Sequence, residues 1–127
     1  MGLKPRSRSL QAALRSHALS FPATYEEYPW GERVAKVKTD VFVYLGSDGS
    51  PDYSFTVKLP RSGSACLGFD FTAPALNGLS NQWISVTINA ASPPPRNLLF
   101  EWIEESYRAV APQELIHELD RRALAAG

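Results

Sequence analysis

One cysteine and two histidines are the first places to look for chemistry in this 127-residue chain. Cys66 has no histidine near it in the sequence, and a lone cysteine belongs to the most often buried residue types. His17 falls on the apolar side of a predicted helix, and His117 lies beside the apolar stripe of another. These residues and the carboxylates lack the spacing of metal ligands. We therefore expect a protein that is not an enzyme and that has no metal or cofactor.

Basic residues in the middle of the chain are better candidates for a functional site, and they would act by binding a ligand. Strand periodicity places Lys36 and Lys38 on one side of a predicted sheet and turns Lys58 toward the polar side of its own strand. The same polar side holds four hydroxyl residues, namely Ser54, Thr56, Ser85 and Thr87. Lysines interleaved with hydroxyls and an aromatic ring can hold phosphates and stack a base. The alternative is that all of them are ordinary outward residues of a half-exposed sheet.

Trp83 supplies the aromatic ring, and its position is unusual. A polar, glycine-containing loop at residues 77–82 leads into a strand that begins at Trp83. Apolar and polar residues alternate as far as Ile88, so one face of this strand is buried and the other is wet. The alternation puts Trp83 on the wet face. A large aromatic there either packs under a neighbouring segment or serves a binding surface, and the pattern leaves both possibilities open.

Four strands and three main helices must position these residues. Apolar spacing predicts a helix over residues 9–19. The predicted strands cover residues 33–38, 41–45, 53–59 and 83–88. The segments 21–31 and 60–76 are interpreted as connectors, the second with one helical turn around Ser64–Leu67. After a proline break at residues 93–95, two helices lie on either side of Pro112.

The order of these elements predicts the fold class. Short loops join the first three strands, which favours an antiparallel meander. Residues 41–45 are continuously apolar, so we expect that strand to be covered on both faces. Strands grouped between helices indicate an α+β protein, with an antiparallel four-stranded sheet on which an N-terminal helix and two C-terminal helices pack. One domain over residues 1–127 is the default for this length, and residues 1–8 resemble a flexible basic tail.

Charge, hydropathy and cysteine content exclude several classes. The chain has 13 basic and 13 acidic residues, which argues against a protein that coats nucleic acid or a membrane surface by charge alone. A single cysteine allows no intramolecular disulfide. No apolar run reaches the roughly 20 residues of a helix that spans a bilayer. We therefore expect a cytoplasmic protein with no membrane partner.

Six segments, taken in order, carry a resemblance to a known family. They are Ala18-Leu19-Ser20-Phe21-Pro22, Tyr28-Pro29-Trp30-Gly31, Val41-Phe42-Val43, Ser54-Phe55-Thr56-Val57-Lys58-Leu59, the glycine-leucine loop and tryptophan strand at residues 78–86, and the closing helix segment at residues 102–112. On these segments the chain resembles the MmcQ/YjbR-like family of small bacterial proteins. The resemblance implies a fold related to the secretion-chaperone-like and frataxin-like α+β sandwiches. It also implies the DNA-binding "double wing" function with which the family is labelled.

The outward lysines and the resemblance together predict a non-enzymatic domain that binds DNA. The predicted contact residues are Arg33, Lys36, Lys38, Lys58, Arg61, Asn81 and Trp83. The alternative is an interaction module that binds a protein or a small ligand without affinity for nucleic acid, with a homodimer as one form of that contact. Zero net charge and the uncharged loop at residues 78–82 favour this alternative. So do the aromatics Tyr25, Tyr28, Trp30 and Trp83, because aromatic residues are enriched at the cores of interfaces.

Overall fold

The computed structural model describes residues 5–46, 53–75, 82–88 and 94–126. The helices are α1 (Pro5–Ala18), α2 (Gly63–Cys66), α3 (Arg96–Val110) and α4 (Gln113–Ala126), with a 3-10 turn at Pro29–Gly31. The strands are β1 (Thr24–Glu27), β2 (Arg33–Val37), β3 (Asp40–Gly46), β4 (Tyr53–Lys58), β5 (Thr72–Pro74) and β6 (Trp83–Ile88). None of the helices in these ranges is both long enough and apolar enough to cross a membrane.

All six strands form one antiparallel sheet, in the order β1-β2-β3-β4-β6-β5. This confirms the α+β class and the meander, but the prediction of four strands is wrong. The two extra strands lie at the sheet edges, inside the segments that were interpreted as connectors. They have only four and three residues, which is too short for a period-2 pattern to emerge. They are instead defined by their pairing, β1 with β2 and β5 with β6. The first helix also begins earlier than predicted, at Pro5.

The hydrophobic core lies between one face of the sheet and helices α1 and α3. The alternation predicted for β4 and β6 is confirmed, because Phe55, Val57, Ile84 and Val86 are all buried. Apolar residues of α1 and α3 complete the same cluster, among them Leu14 and Ile103. The sheet is therefore covered by helices on this side, which we call the helix face.

A bulge in β3 corrects the expectation that this strand is covered on both sides. Ala35 pairs with Val43 and Lys36 pairs with Val41, so Phe42 is an extra residue in the ladder. Because of this shift, Phe42 and Val43 are both buried while Val41 and Tyr44 are only half-buried. The bulge thus lets two consecutive residues, Phe42 and Val43, be buried, while Tyr44 lies on the side away from the helices opposite Thr56.

The other side of the sheet we call the open face. Residues that are directly opposed in neighbouring strands share a face, and the register joins Val34 to Tyr44, Tyr44 to Thr56, and Thr56 to Ser85. With the alternation along each strand, the open face carries Tyr25, Glu27, Lys36, Tyr44, Ser54, Thr56, Lys58, Trp83, Ser85 and Thr87. Aromatic, hydroxyl and basic side chains are therefore gathered on one surface.

Candidate binding site

Lys58, Trp83 and Tyr44 come together at one end of the open face. Lys58 ends β4 and lies directly opposite Trp83, which begins β6. The rings of Tyr44 and Trp83 meet edge to face, with centroids 5.5 Å apart and an interplanar angle of 69°. All three side chains are half-buried and line a shallow pocket of about 410 Å³. A pocket with an ammonium group beside two aromatic rings can hold a planar group that carries a negative charge.

The ammonium group of Lys58 is available for such a ligand. None of the carboxylates in the described parts of the chain forms an ion pair with it. Its backbone N–H is engaged instead, and donates to the Ser106 hydroxyl at 2.8 Å. Asp40 also lines the pocket and offers an acceptor for a donor group on the ligand. The pocket therefore holds a lysine whose backbone is fixed by a hydrogen bond and whose ammonium group has no ion-pair partner among the described residues.

Arg33 is part of a structural ion cluster. Its guanidinium lies 2.9 Å from Glu26, in a pair whose side chains are 19% and 20% exposed, and 5.1 Å from the centre of the Tyr28 ring. Arg15 of α1 also binds Glu26. This hydrogen bond from Arg15, with support from Arg33, holds the pKa of the Glu26 carboxyl below its ordinary value. Arg33 therefore ties β2 to β1 and α1 and does not lie on the open face.

Lys36 does lie on the open face, as the strand pattern predicted. Its ammonium group is 2.7 Å from the Glu27 carboxylate and 5.9 Å from the centre of the Tyr25 ring. The hydrogen bond to Glu27 raises the pKa of Lys36. Its charge is thus balanced by a neighbour on the adjacent strand, which leaves less of it for an outside phosphate.

Lys38 and Arg61 are not among the residues that line the pocket around Lys58. Lys38 has a positive φ of 58° in the β2–β3 turn, and its ammonium group is 3.5 Å from Glu114 of α4. Arg61 lines a second cleft of about 560 Å³ between the turn after β4 and α3, a cleft that also holds Glu101 and Glu104. Asn81, the remaining predicted contact, lies outside the described residues. Of the predicted set, the structure therefore brings Lys58 and Trp83 together and places Lys36 on the same face.

Cys66 and His17, the histidine of α1, are both packed against other residues of the fold. Cys66 is buried, its thiol donates to the Gly63 carbonyl at 3.2 Å, and burial raises its pKa. The His17 ring stacks on Phe100 at 4.2 Å and 7°, and burial lowers its pKa. Within the described ranges, no three His, Cys, Asp or Glu side chains are grouped closely enough to hold a metal ion.

Sequence reasoning missed two residues of this site. Tyr44 was hidden because its strand is continuously apolar, and only the β3–β4 register, which pairs it with Thr56, shows that it lies on the same face as Trp83. The contact of Ser106 with Lys58 joins residues 48 positions apart. A serine at an otherwise apolar helix position was the available signal, since a buried hydroxyl needs a partner.

Comparison with known proteins agrees on the fold. A family model described as YjbR matches residues 19–109. The chain is similar to a crystal structure of a protein from Pseudomonas syringae that was solved as a structural-genomics target. That similarity has a TM-score of 0.60 at 15% identity and covers 84% of this chain and 99% of the other. At this identity the likeness shows the fold alone. No curated protein matches the chain.

Proposed function

This chain belongs to the YjbR family, and from that premise we propose that it is a non-enzymatic domain that binds single-stranded DNA on its open face. The observation that carries the proposal is the pocket in which Lys58, with no carboxylate partner in the described ranges, lies beside the Tyr44–Trp83 ring pair. A phosphate of the strand would contact the ammonium group while a base stacks on the indole. Such stacking contributes about 1–3 kcal/mol per base.

The rest of the open face supports a single strand over a duplex. Ser54 and Thr87 hydroxyls lie 3.1 Å apart on neighbouring strands, and Thr56 and Ser85 continue the polar surface between them and the pocket. Hydroxyls of this kind can contact phosphate and sugar oxygens. Duplex recognition depends on many phosphate contacts. Here, however, Arg33, Lys36 and Lys38 each contact a carboxylate of the same chain.

We also propose that the protein acts in the cytoplasm. Cys66 is a free thiol buried in the core. A buried thiol that forms no disulfide is consistent with a reducing compartment. The compartment would be checked by fractionating cells that express the tagged protein.

Fluorescence anisotropy with a labelled thymidine strand of about 20 nucleotides and a duplex of the same length tests the proposal. At about 50 mM salt we expect the strand to bind more tightly than the duplex, and binding to weaken at about 200 mM salt. Lys58→Ala should weaken strand binding about tenfold, which corresponds to about 1.4 kcal/mol. Lys38→Ala removes the same charge from the same end of the sheet and should leave affinity within about twofold. Absence of strand binding at low salt would refute the proposal.

A protein contact is the second candidate, and one observation favours it. Leu67 and Phe69 are 41% and 44% exposed, and Phe69 forms an aromatic cluster with Phe71 and Trp102. An exposed apolar patch of this kind can mark an interface. Sedimentation velocity of the protein alone tests whether a second copy covers it. A concentration-dependent dimer that Phe69→Ser abolishes would support this candidate, and a monomer at all concentrations would count against it.

A further inference from the structure

We propose that Ser106 is a positioning residue for the pocket: its hydroxyl replaces one hydrogen bond of the β3–β4 ladder and thereby fixes Lys58 against α3. The value of this arrangement for binding rests on the proposed function. The hydrogen-bonding arrangement around Ser106 does not rest on it, so the arrangement and the proposed function can be disproved separately.

The ladder between β3 and β4 stops where Ser106 enters. Val43 pairs with Val57 and Tyr44 with Thr56, and the same register would next oppose Phe42 and Lys58. At that step Ser106 Oγ accepts a hydrogen bond from the Lys58 N–H at 2.8 Å and donates one to the Phe42 carbonyl. A hydroxyl therefore lies between two groups that a continuous ladder would join directly.

Burial makes the hydroxyl a required group at this position. Ser106 is 0% exposed and lies on the side of α3 that also buries Ile103 and Tyr107. A hydroxyl in such a place costs free energy unless it is hydrogen-bonded. Here it satisfies itself and also two backbone groups, which would otherwise be left unpaired or would have to move together.

The pocket opens at the point where Ser106 separates the strands. Beyond the Val43–Val57 pair, β4 stays paired with β6 through Lys58 and Trp83, while the serine hydroxyl links the Lys58 N–H of β4 to the Phe42 carbonyl of β3. Ala109 and Val110 follow one turn later in α3 and form a wall of the same pocket. The serine thus sets the spacing between the Tyr44 side of the pocket and the Lys58 side.

Nuclear magnetic resonance of Ser106→Ala tests the positioning role without any ligand. We expect faster hydrogen exchange at the Lys58 amide and shifted resonances for the Lys58 side chain and the Trp83 indole. Ser106→Cys is slightly larger and replaces the hydroxyl by a weak hydrogen-bonding group, and should show the same changes. Ile103→Val, a mild core truncation in the same helix, should leave these signals unmoved. If Ser106→Ala also leaves them unmoved, the inference is wrong whether or not the protein binds DNA.

Binding of the thymidine strand tests the consequence for function. Ser106→Ala and Ser106→Cys should weaken binding about threefold or more, while Ile103→Val stays within about twofold. Equal weakening by all three variants would mean that general loosening of the core is responsible, and would overturn the positioning role. Wild-type affinity in both Ser106 variants would overturn it too. If the wild-type protein binds no strand, the proposed function fails and the resonance experiment alone decides the inference.

Discussion

Two regions of the sheet place lysine beside aromatic rings, with opposite outcomes for the charge. The first region, the β1–β2 edge, consists of β1, β2 and the turn between them. There Lys36 lies over Tyr25 but is bound to Glu27, and Arg33 lies near Tyr28 but is bound to Glu26. The second region, the β4–β6 end, holds Lys58 beside Trp83 and Tyr44, and no carboxylate of the described residues pairs with that lysine.

The difference shows that residue type alone does not identify a binding surface. A cation whose partner lies on the neighbouring strand contributes to strand pairing and must give up that partner before it can bind an outside phosphate. A lysine that is held by its backbone, and with which no carboxylate of the described residues forms an ion pair, has no such partner to give up. We therefore propose that the charges of the β1–β2 edge serve structural ion pairing and that ligand contact takes place at the β4–β6 end.

The largest expected effect is on stability, at the β1–β2 edge. Glu26→Gln removes the negative charge that Arg15 and Arg33 both contact, in a pair with Arg33 whose side chains are largely buried. We expect a loss of about 1–2 kcal/mol in the free energy of unfolding, between the values for exposed and buried pairs. Urea unfolding measures this loss. Lys58→Ala should change the same quantity by less than about 0.5 kcal/mol. Equal losses of stability in the two variants would contradict the distinction between the β1–β2 edge and the β4–β6 end.

The next effect concerns binding at the β4–β6 end. Trp83→Leu keeps an apolar side chain against Tyr44 but removes the stacking surface, and should weaken binding of the thymidine strand by about 1 kcal/mol, or about fivefold. Anisotropy titration measures this change. Tyr25→Leu makes a similar aromatic loss at the β1–β2 edge, where Tyr25 is 41% exposed, and should leave affinity within about twofold. A larger effect at Tyr25 than at Trp83 would reverse the assignment.

A gain of affinity would sharpen the comparison further. Glu27→Gln releases Lys36 from its partner on the open face. The freed ammonium group should then attract the strand and tighten binding about twofold, because exposed ion pairs contribute at most about 1 kcal/mol. The gain should disappear in the double variant Glu27→Gln, Lys36→Ala. Unchanged affinity in Glu27→Gln would mean that the ion pair does not limit this lysine.

The smallest effect is the acid dependence of stability. Arg15 and Arg33 lower the pKa of Glu26 in the folded protein from an ordinary value of 4.5. The stability that this carboxylate contributes is therefore complete above pH 4.5 and is lost as the pH falls through the lowered pKa. Thermal unfolding from about pH 6 to about pH 3 should show a shallower decline for Glu26→Gln than for the wild type. If the wild type and the variant lose stability in parallel as the pH falls, Glu26 does not contribute to the acid dependence.

Much of this fold follows from local patterns in the sequence. Alternation from Trp83 to Ile88 and from Tyr53 to Lys58 gave two central strands with the correct faces, since each residue there reports its own burial. Helical spacing likewise gave α3 and α4. The edge strands β1 and β5 were missed because their few residues are defined by hydrogen bonds to distant partners.

The site was less predictable for the same reason. Lys58 and Trp83 were recognised individually, since each lies on the polar side of a clear strand. Their direct opposition depends on the β4–β6 register, and the place of Tyr44 beside them depends on the β3–β4 register. Whether a lysine can bind a ligand depends on whether a carboxylate of another element pairs with it, as Glu114 pairs with Lys38. No spacing rule along the chain contains that information.

One resonance experiment tests the assignment of binding to the β4–β6 end most directly. In a titration of the labelled protein with the thymidine strand, we predict that the Trp83 indole and the amides of Thr56, Lys58 and Ser85 shift together. The buried Trp102 indole and the amide of Glu26 should remain in place. Shifts that cluster between residues 24 and 38 and leave Trp83 unmoved would contradict the account.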